Sequence, residues 1–107
     1  MNILKEITEK ATHAYSGERG CCCGCLGDYF YRTNSVTKED GYIWRHRTGE
    51  TVRDPPLVEK NIKRIAGEIW KAYNDDNLDK WVHVWETGIS VTKNDSEKGR
   101  IYTLYFD

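Results

Sequence analysis

The cysteines of this chain are concentrated in one short glycine-rich segment. All four lie between Ser16 and Gly27, together with four of the nine glycines of the chain. Glycine adopts backbone conformations that are closed to other residues, so we expect a compact loop with several sharp turns. Thiols in such a loop can hold a metal, form a disulfide or pack as small buried hydrophobes. The cysteines are Cys21, Cys22, Cys23 and Cys25.

The spacing of these cysteines bears on whether they bind a metal, take part in redox chemistry or pack in the interior. Cys22 and Cys25 have the C-x-x-C spacing that presents two thiolates to one zinc ion. A closed site needs two further ligands, and the sequence has neither a second C-x-x-C nor a closely spaced pair of histidines. Redox chemistry of the thioredoxin type needs the motif where a strand leads into a helix, whereas here we expect a helix before it and a strand after it. We therefore expect packed thiols and no metal or cofactor, with a small zinc module as an alternative.

The same loop has a second possible use, in anion binding. Successive backbone N–H groups in a glycine-rich turn can converge on phosphate oxygens, and Arg19 adds a positive charge beside them. If the loop contacts a ligand, we expect these groups to do so and the thiols to point inward.

Arginines and aromatic residues are interleaved elsewhere in the chain. The guanidinium group holds phosphate with two parallel hydrogen bonds, and aromatic faces stack on bases, so this mixture is typical of nucleotide binding. A purely structural explanation also exists. In a strand with one face in the core and the other in solvent, buried aromatic residues alternate with exposed charged ones and produce the same pattern. The sequence shows no Gly-x-Ser-x-Gly or His-Glu-x-x-His motif, which favours binding over catalysis. The candidate ligand-binding residues are Arg19, Trp44, Arg45, Arg47, Arg100 and Tyr102.

Composition limits the class of protein. The 107 residues predict a single globular domain spanning 1–107, and the net charge of −1 makes a general nucleic-acid-binding role disfavoured. No apolar stretch reaches the roughly 18 residues that a membrane-spanning helix needs, and the first residues do not resemble a signal peptide. We expect a cytoplasmic protein with reduced thiols and no membrane partner.

Periodicity predicts an α+β fold in the order α-β-β-α-β-β-β, with an antiparallel sheet, one long helix across it and a short N-terminal helix. The clearest local signal is Asp54-Pro55-Pro56, an N-cap acid followed by proline at the first helical position. The predicted helices cover Asn2 to about Ala14, and about five turns from Pro55 to the cluster at residues 74–77. The predicted strands lie at residues 28–34, 42–47, 81–85, 89–91 and 101–106.

Two motifs resemble those of small phage-encoded proteins. They are Tyr15-Ser16-Gly17-x-x-Gly20-Cys21-x-Cys23-Gly24-Cys25-x-Gly27-x-Tyr29 and Arg100-x-Tyr102-Thr103-x-Tyr105. Within that group the chain is similar to the Thoeris anti-defence sponges of the first kind. The resemblance implies a homo-oligomer in the host-cell cytoplasm that sequesters a cyclic ADP-ribose-type or related cyclic nucleotide signal without cleaving it. The alternatives are a phage inhibitor that binds a host defence protein, and a small zinc-binding or nucleic-acid-binding module.

Overall fold

A computed structural model describes residues 3–18, 26–33, 38–94 and 99–106. In these residues the chain forms two α-helices and seven β-strands. The elements are α1 (Ile3–Lys10), β1 (His13–Glu18), β2 (Leu26–Thr33), β3 (Asp40–Arg45), β4 (Glu50–Arg53), α2 (Pro55–Asn74), β5 (Lys80–Trp85), β6 (Gly88–Lys93) and β7 (Arg100–Tyr105).

All seven strands belong to one antiparallel sheet, in the order β4-β3-β2-β1-β7-β6-β5. The first and last strands of the chain, β1 and β7, pair with each other inside the sheet. The strands β4 and β5 form its two edges. These two strands therefore lie in the interior of the sheet, and both edge strands fall between them in the sequence.

Helix α2 crosses one face of the sheet and supplies most of the core. The carboxylate of Asp54 accepts a hydrogen bond from the Leu57 N–H at 3.2 Å, and Pro55 follows at the first helical position. The apolar stripe of α2 packs on the sheet residues Ala14, Phe30, Ile43, Val91 and Leu104. Burial of each large aliphatic side chain contributes about 1.5–3 kcal/mol. The buried residues of the helix are Val58, Ile62, Ile65, Ala66, Ile69 and Ala72.

Cations from the sheet hold the C-terminal carbonyls of both helices. The guanidinium of Arg32 in β2 donates to the carbonyls of Thr8, Glu9 and Ala11 at the end of α1, and it forms a two-bond ion pair with Glu59 of α2, at 2.6 and 3.0 Å. Lys80 of β5 donates in the same way to the last carbonyls of α2. A positive charge at a helix C-terminus is favourable because the carbonyl dipoles there point outward. An eight-residue helix such as α1 is marginal alone, so Arg32 ties its formation to the sheet.

The α+β class, the antiparallel sheet and the two helices agree with the sequence-based prediction, but the predicted order of elements is wrong. The observed order is α-β-β-β-β-α-β-β-β, because β1 and β4 were not predicted. Helix α1 ends at Lys10 and not near Ala14, and the Thr12 N–H already donates to the Tyr105 carbonyl at 2.8 Å. Ser16, Gly17 and Gly27, expected in the cysteine loop, belong to strands.

Gly41 lies where the sheet meets the start of α2. It has a φ of +64°, and a Cβ at this position would overlap the Cα of Pro55. We expect Gly41→Ala to lower the free energy of unfolding by about 2–3 kcal/mol, from left-handed backbone strain plus the clash. Chemical denaturation measures it. Gly49→Ala is the matched control, since Gly49 has a φ of +67° and nothing within 4 Å. Equal losses in the two variants would contradict a close approach at Gly41.

Candidate functional site

The two faces of the sheet carry different residues. One face of the sheet carries the aliphatic core beneath α2. The opposite face carries Tyr, Trp and His side chains, and we call it the aromatic face. This face includes all three histidines of the chain, five of the seven tyrosines and three of the four tryptophans. Both helices of the described chain lie on the opposite side. The members are His13, Tyr15, Tyr29, Tyr31, Tyr42, Trp44, His46, Trp81, His83, Trp85 and Tyr105.

A row of rings runs straight across four neighbouring strands of the aromatic face. Tyr42, Tyr31, His13 and Tyr105 are successive cross-strand partners, with ring centroids 4.6, 5.0 and 4.1 Å apart and interplanar angles of 14° or less. These spacings are close to the distance between strands, so the rings stand upright and stack on one another. The ring faces therefore contact one another within the row, and the ring edges and polar groups point outward.

Two further rings on this face lie over glycines. A Cβ at Gly27 would come within 2.6 Å of the ring of Tyr15, and a Cβ at Gly88 would overlap the ring of Trp85. Tyr15 is only 6% exposed although no described helix covers it. The absence of a side chain at each glycine therefore creates the space in which the neighbouring ring rests.

Burial affects the titration of two tyrosines in the row. Burial raises the pKa of Tyr31, and the neighbouring phenols of Tyr42, Tyr29 and Tyr105 raise it further because a second phenolate would repel the first. Burial alone raises the pKa of Tyr42. The folded structure therefore disfavours ionisation of the Tyr31 and Tyr42 phenols.

These shifts predict a loss of stability in alkali. A raised folded-state pKa means that the unfolded chain ionises first, so the contribution is fully present below about pH 10 and is lost as pH rises through the folded-state pKa. Urea denaturation at about pH 9 and about pH 11 should show a lower free energy of unfolding at the higher pH. In the Tyr31→Phe variant that loss should be smaller. The same pH dependence in wild type and variant would contradict the assignment to Tyr31.

A hollow of about 420 Å³ lies at the end of the sheet where β1 leads into residues 19–25 and β2 begins after them. We call it the arginine hollow, because three of its lining residues are arginines. Ser16, Asp28, Arg45 and Arg100 share the helix-bearing pleat. Three guanidinium groups face two carboxylates in this lining. The lining residues are Ser16, Gly17, Glu18, Gly27, Asp28, Arg45, Arg47, Thr48 and Arg100.

The three arginines are held to different degrees. Arg45 is oriented by one ion pair, from its Nη1 to Glu50 Oε2 at 3.1 Å, and its Nε makes a longer contact of 3.9 Å with Asp28 Oδ1. Arg100 has only a long contact, 3.9 Å from its Nη2 to Glu18 Oε1. Arg47 lies in the turn after β3, and within the described chain its guanidinium has neither an ion pair nor a hydrogen bond. The guanidinium of Arg45 is therefore oriented by an ion pair, that of Arg100 is loosely held, and that of Arg47 has no partner in the described chain.

The structure brings together three of the six predicted ligand-binding residues. Arg45, Arg47 and Arg100 line the arginine hollow, whereas Trp44 lies on the aromatic face. Tyr102 belongs to the hydrophobic core, with 6% of its surface exposed and the Lys93 Nζ 5.8 Å from its ring centroid. Arg19 and the four cysteines lie outside the described residues. Thiol packing, a zinc site and an anion-binding loop in that segment therefore stay predictions.

Sequence reasoning did not name the polar groups that share the hollow with the arginines. Asp28, Glu18 and Thr48 were read as strand, loop and turn residues, because their closeness depends on the pairing of β1 with β2 and β7. Motif spacing carries no signal for these contacts. The aromatic face was also missed as a unit, since alternation marks two faces of a strand without saying which one a helix will cover.

The described ranges contain neither a metal-binding cluster nor a helix able to span a membrane. In residues 3–18, 26–33, 38–94 and 99–106, no group of three or more His, Cys, Asp or Glu side chains is arranged to hold a metal ion. Neither described helix combines the length and apolar character needed to cross a membrane.

Comparison with known proteins identified no relative: the chain matches no protein-family model, no curated protein and no solved structure.

Proposed function

We propose that this protein is a non-catalytic binding protein that sequesters a small phosphorylated ligand in the arginine hollow. The ligand class is a cyclic ADP-ribose-type signal or a cyclic oligonucleotide, and the biological role is that of a phage counter-defence sponge in the host cytoplasm. The observation that carries the proposal is the convergence of Arg45, Arg47 and Arg100 on one hollow. The ligand class and the role rest on the resemblance of the glycine-cysteine segment.

The charges of the hollow suit a phosphate group. The free guanidinium of Arg47 can hold two phosphate oxygens at once, and Glu50 keeps Arg45 oriented beside it. Arg100 can exchange its 3.9 Å contact with Glu18 for a shorter bond to phosphate. The hydroxyls of Ser16 and Thr48 supply neutral donors in the same lining.

The size and lining of the hollow suggest which part of the ligand it holds. About 420 Å³ lies within the usual range of small-molecule sites. The described lining contains no aromatic ring, so the hollow suits the phosphate and sugar of a nucleotide more than its base.

Isothermal titration calorimetry of the purified protein tests the proposal. The panel contains cyclic ADP-ribose isomers, cyclic dinucleotides and ADP-ribose, with the matching unphosphorylated nucleosides as controls. We expect binding of at least one phosphorylated compound, which mass spectrometry should recover intact after the protein is denatured. Absence of heat with every compound would remove the proposal, and recovery of a cleaved ligand would remove its non-catalytic part.

A second candidate function is inhibition of a host defence protein, and the aromatic face is the observation that favours it. Tyrosine and tryptophan are enriched among the residues that dominate protein interfaces. In the described strands only Asp40 and Arg53 are charged on this pleat, with opposite signs, which does not favour a phosphate-rich nucleic acid.

Capture experiments from host lysate distinguish the two candidates. If the protein is an inhibitor, we expect the wild type and the Arg47→Ala variant to capture the same host protein, and the Trp44→Ala variant to lose it. For the sponge, we expect no stable protein partner, and Arg47→Ala should lose the small ligand.

A further inference from the structure

In the part of the chain that the structure describes, the exposed large hydrophobic residues gather at one edge of the sheet. Five large hydrophobic side chains in the described residues are exposed, and three of them are in the edge strand β5. Trp81 is 73% exposed, Val84 62% and Val82 38%. The other two, Ile3 and Tyr73, line an apolar hollow together with Val84 on the helix side of the same edge. Concentration of exposed apolar residues at one place marks an interaction surface.

The edge strand also lacks the features that normally prevent pairing with another chain. Between Trp81 and Trp85 there is no proline and no Lys, Arg, Asp or Glu, and in the described chain β5 pairs on one side only, with β6. Proteins usually protect an exposed edge with charges, prolines or bulges, because its free backbone groups are a template for a further strand. This edge is suited to accept one.

The backbone pattern shows which groups of β5 face outward. The two-residue turn Glu86-Thr87 joins Trp85 to Gly88, and the Asn94 N–H donates to the Asp79 carbonyl at 2.9 Å. Hydrogen-bonded and non-hydrogen-bonded pairs alternate along an antiparallel ladder. The odd-numbered residues of β5 therefore bond to β6, and the N–H and C=O groups of Val82 and Val84 point to the open edge.

The sequence of this edge is palindromic: Trp81-Val82-His83-Val84-Trp85 reads the same in both directions. An antiparallel pairing of two such strands about His83 places Trp81 opposite Trp85 and Val82 opposite Val84. Val82 and Val84 are the residues whose backbone groups point outward, so these pairs exchange both of their hydrogen bonds. Like aromatic and β-branched residues opposite one another stabilise such a pair.

We propose that β5 pairs antiparallel with β5 of a second copy of this chain, about a two-fold axis at His83. A second copy fits this edge better than another partner does because the edge is complementary to itself. Side chains directly opposite in an antiparallel pair share a face, so the two aromatic faces form one continuous surface.

Sedimentation of the full chain, together with light scattering, tests the pairing. We expect a mass about twice the monomer mass of 12.5 kDa. Val84→Lys and Val82→Pro should each halve the measured mass, since the first adds a charge at the edge and the second removes an outward N–H while sparing the ladder to β6. The matched control is Thr51→Lys on the other edge strand, β4, which should leave the mass unchanged. Circular dichroism checks that each variant is folded.

Cross-linking tests the position of the axis. At a two-fold axis His83 lies opposite itself at about 4.5 Å between Cα atoms, which suits a disulfide. After mild oxidation, His83→Cys should give a covalent dimer whose linked peptides are joined through position 83, as identified by mass spectrometry. Trp81→Cys should not link to its own copy, because its partner is Trp85.

A monomeric wild-type protein would overturn the proposal, as would a dimer that survives both β5 substitutions or links through position 81. No residue of β5 lines the arginine hollow, so monomeric Val84→Lys should bind phosphorylated ligands as the wild type does. The two proposals can therefore fail separately.

Discussion

Replacement of Arg47 by alanine is expected to weaken the binding of a phosphorylated ligand by roughly 30-fold, which corresponds to about 2 kcal/mol. Arg47 makes no ion pair or hydrogen bond in the described chain, so its removal should leave the free energy of unfolding unchanged. The loss would then come from the ligand contact alone. Calorimetry with the phosphorylated compound that binds wild type most tightly measures it.

Two companion variants give this prediction its controls. Arg64 lies on the surface of α2, where its guanidinium bonds Asn61, and Arg64→Ala should leave the affinity unchanged although it removes the same charge. Arg47→Lys should recover only part of the affinity, because an ammonium group cannot form the two parallel bonds of a guanidinium. Equal weakening by Arg47→Ala and Arg64→Ala would mean that only net charge matters and would contradict a site in the arginine hollow.

Replacement of Ile62 by alanine is expected to lower the free energy of unfolding by about 3 kcal/mol and the Tm by at least about 10 °C. Ile62 is fully buried in the stripe of α2 that faces the sheet. The substitution removes apolar surface and leaves a cavity that the surrounding sheet can only partly close. Denaturant unfolding at constant pH measures the change.

Ile3→Ala is the matched control for this second prediction. It makes the same substitution in the other helix, at a residue that is 48% exposed, so helix propensity changes in the same direction in both variants. We expect a change below about 0.5 kcal/mol. A similar loss in both variants would show that the core is not where the structure places it.

The parts of the fold that local chemistry determines were predicted well. Helix α2 runs from Pro55 to Asn74, and its start follows from the cap at Asp54 while its buried face follows from a regular apolar spacing. Both signals are contained in neighbouring residues, so no knowledge of the sheet is needed to read them.

The parts that depend on distant partners were not predicted. Residues 11–14 continue the apolar period of α1, yet Thr12 and Ala14 join the sheet because β2 and β7 offer hydrogen bonds on both sides. Strand β4 is only four residues long and carries three polar ones, so it resembles a turn until β3 is beside it.

The same reason limits what could be predicted of the candidate site. The arginines of the hollow were identified by type, whereas the carboxylates beside Arg45 and Arg100 come from other strands: Glu50 and Asp28 for Arg45, and Glu18 for Arg100. Tyr102 and Trp44 have the same kind of alternating neighbours in sequence, but one is in the core and the other is on the aromatic face. Which pleat is buried is decided by the position of α2, which single-strand patterns do not contain.

The placement of the tryptophans has an optical consequence. None of the four tryptophans is in the buried core, and Trp44, Trp81 and Trp85 all lie on the aromatic face. Three of the four tryptophans therefore report on that surface, and the intrinsic emission will respond to whatever covers it more than to the packing of the interior. A natural spectroscopic probe is thus built into the face that has no described helix over it.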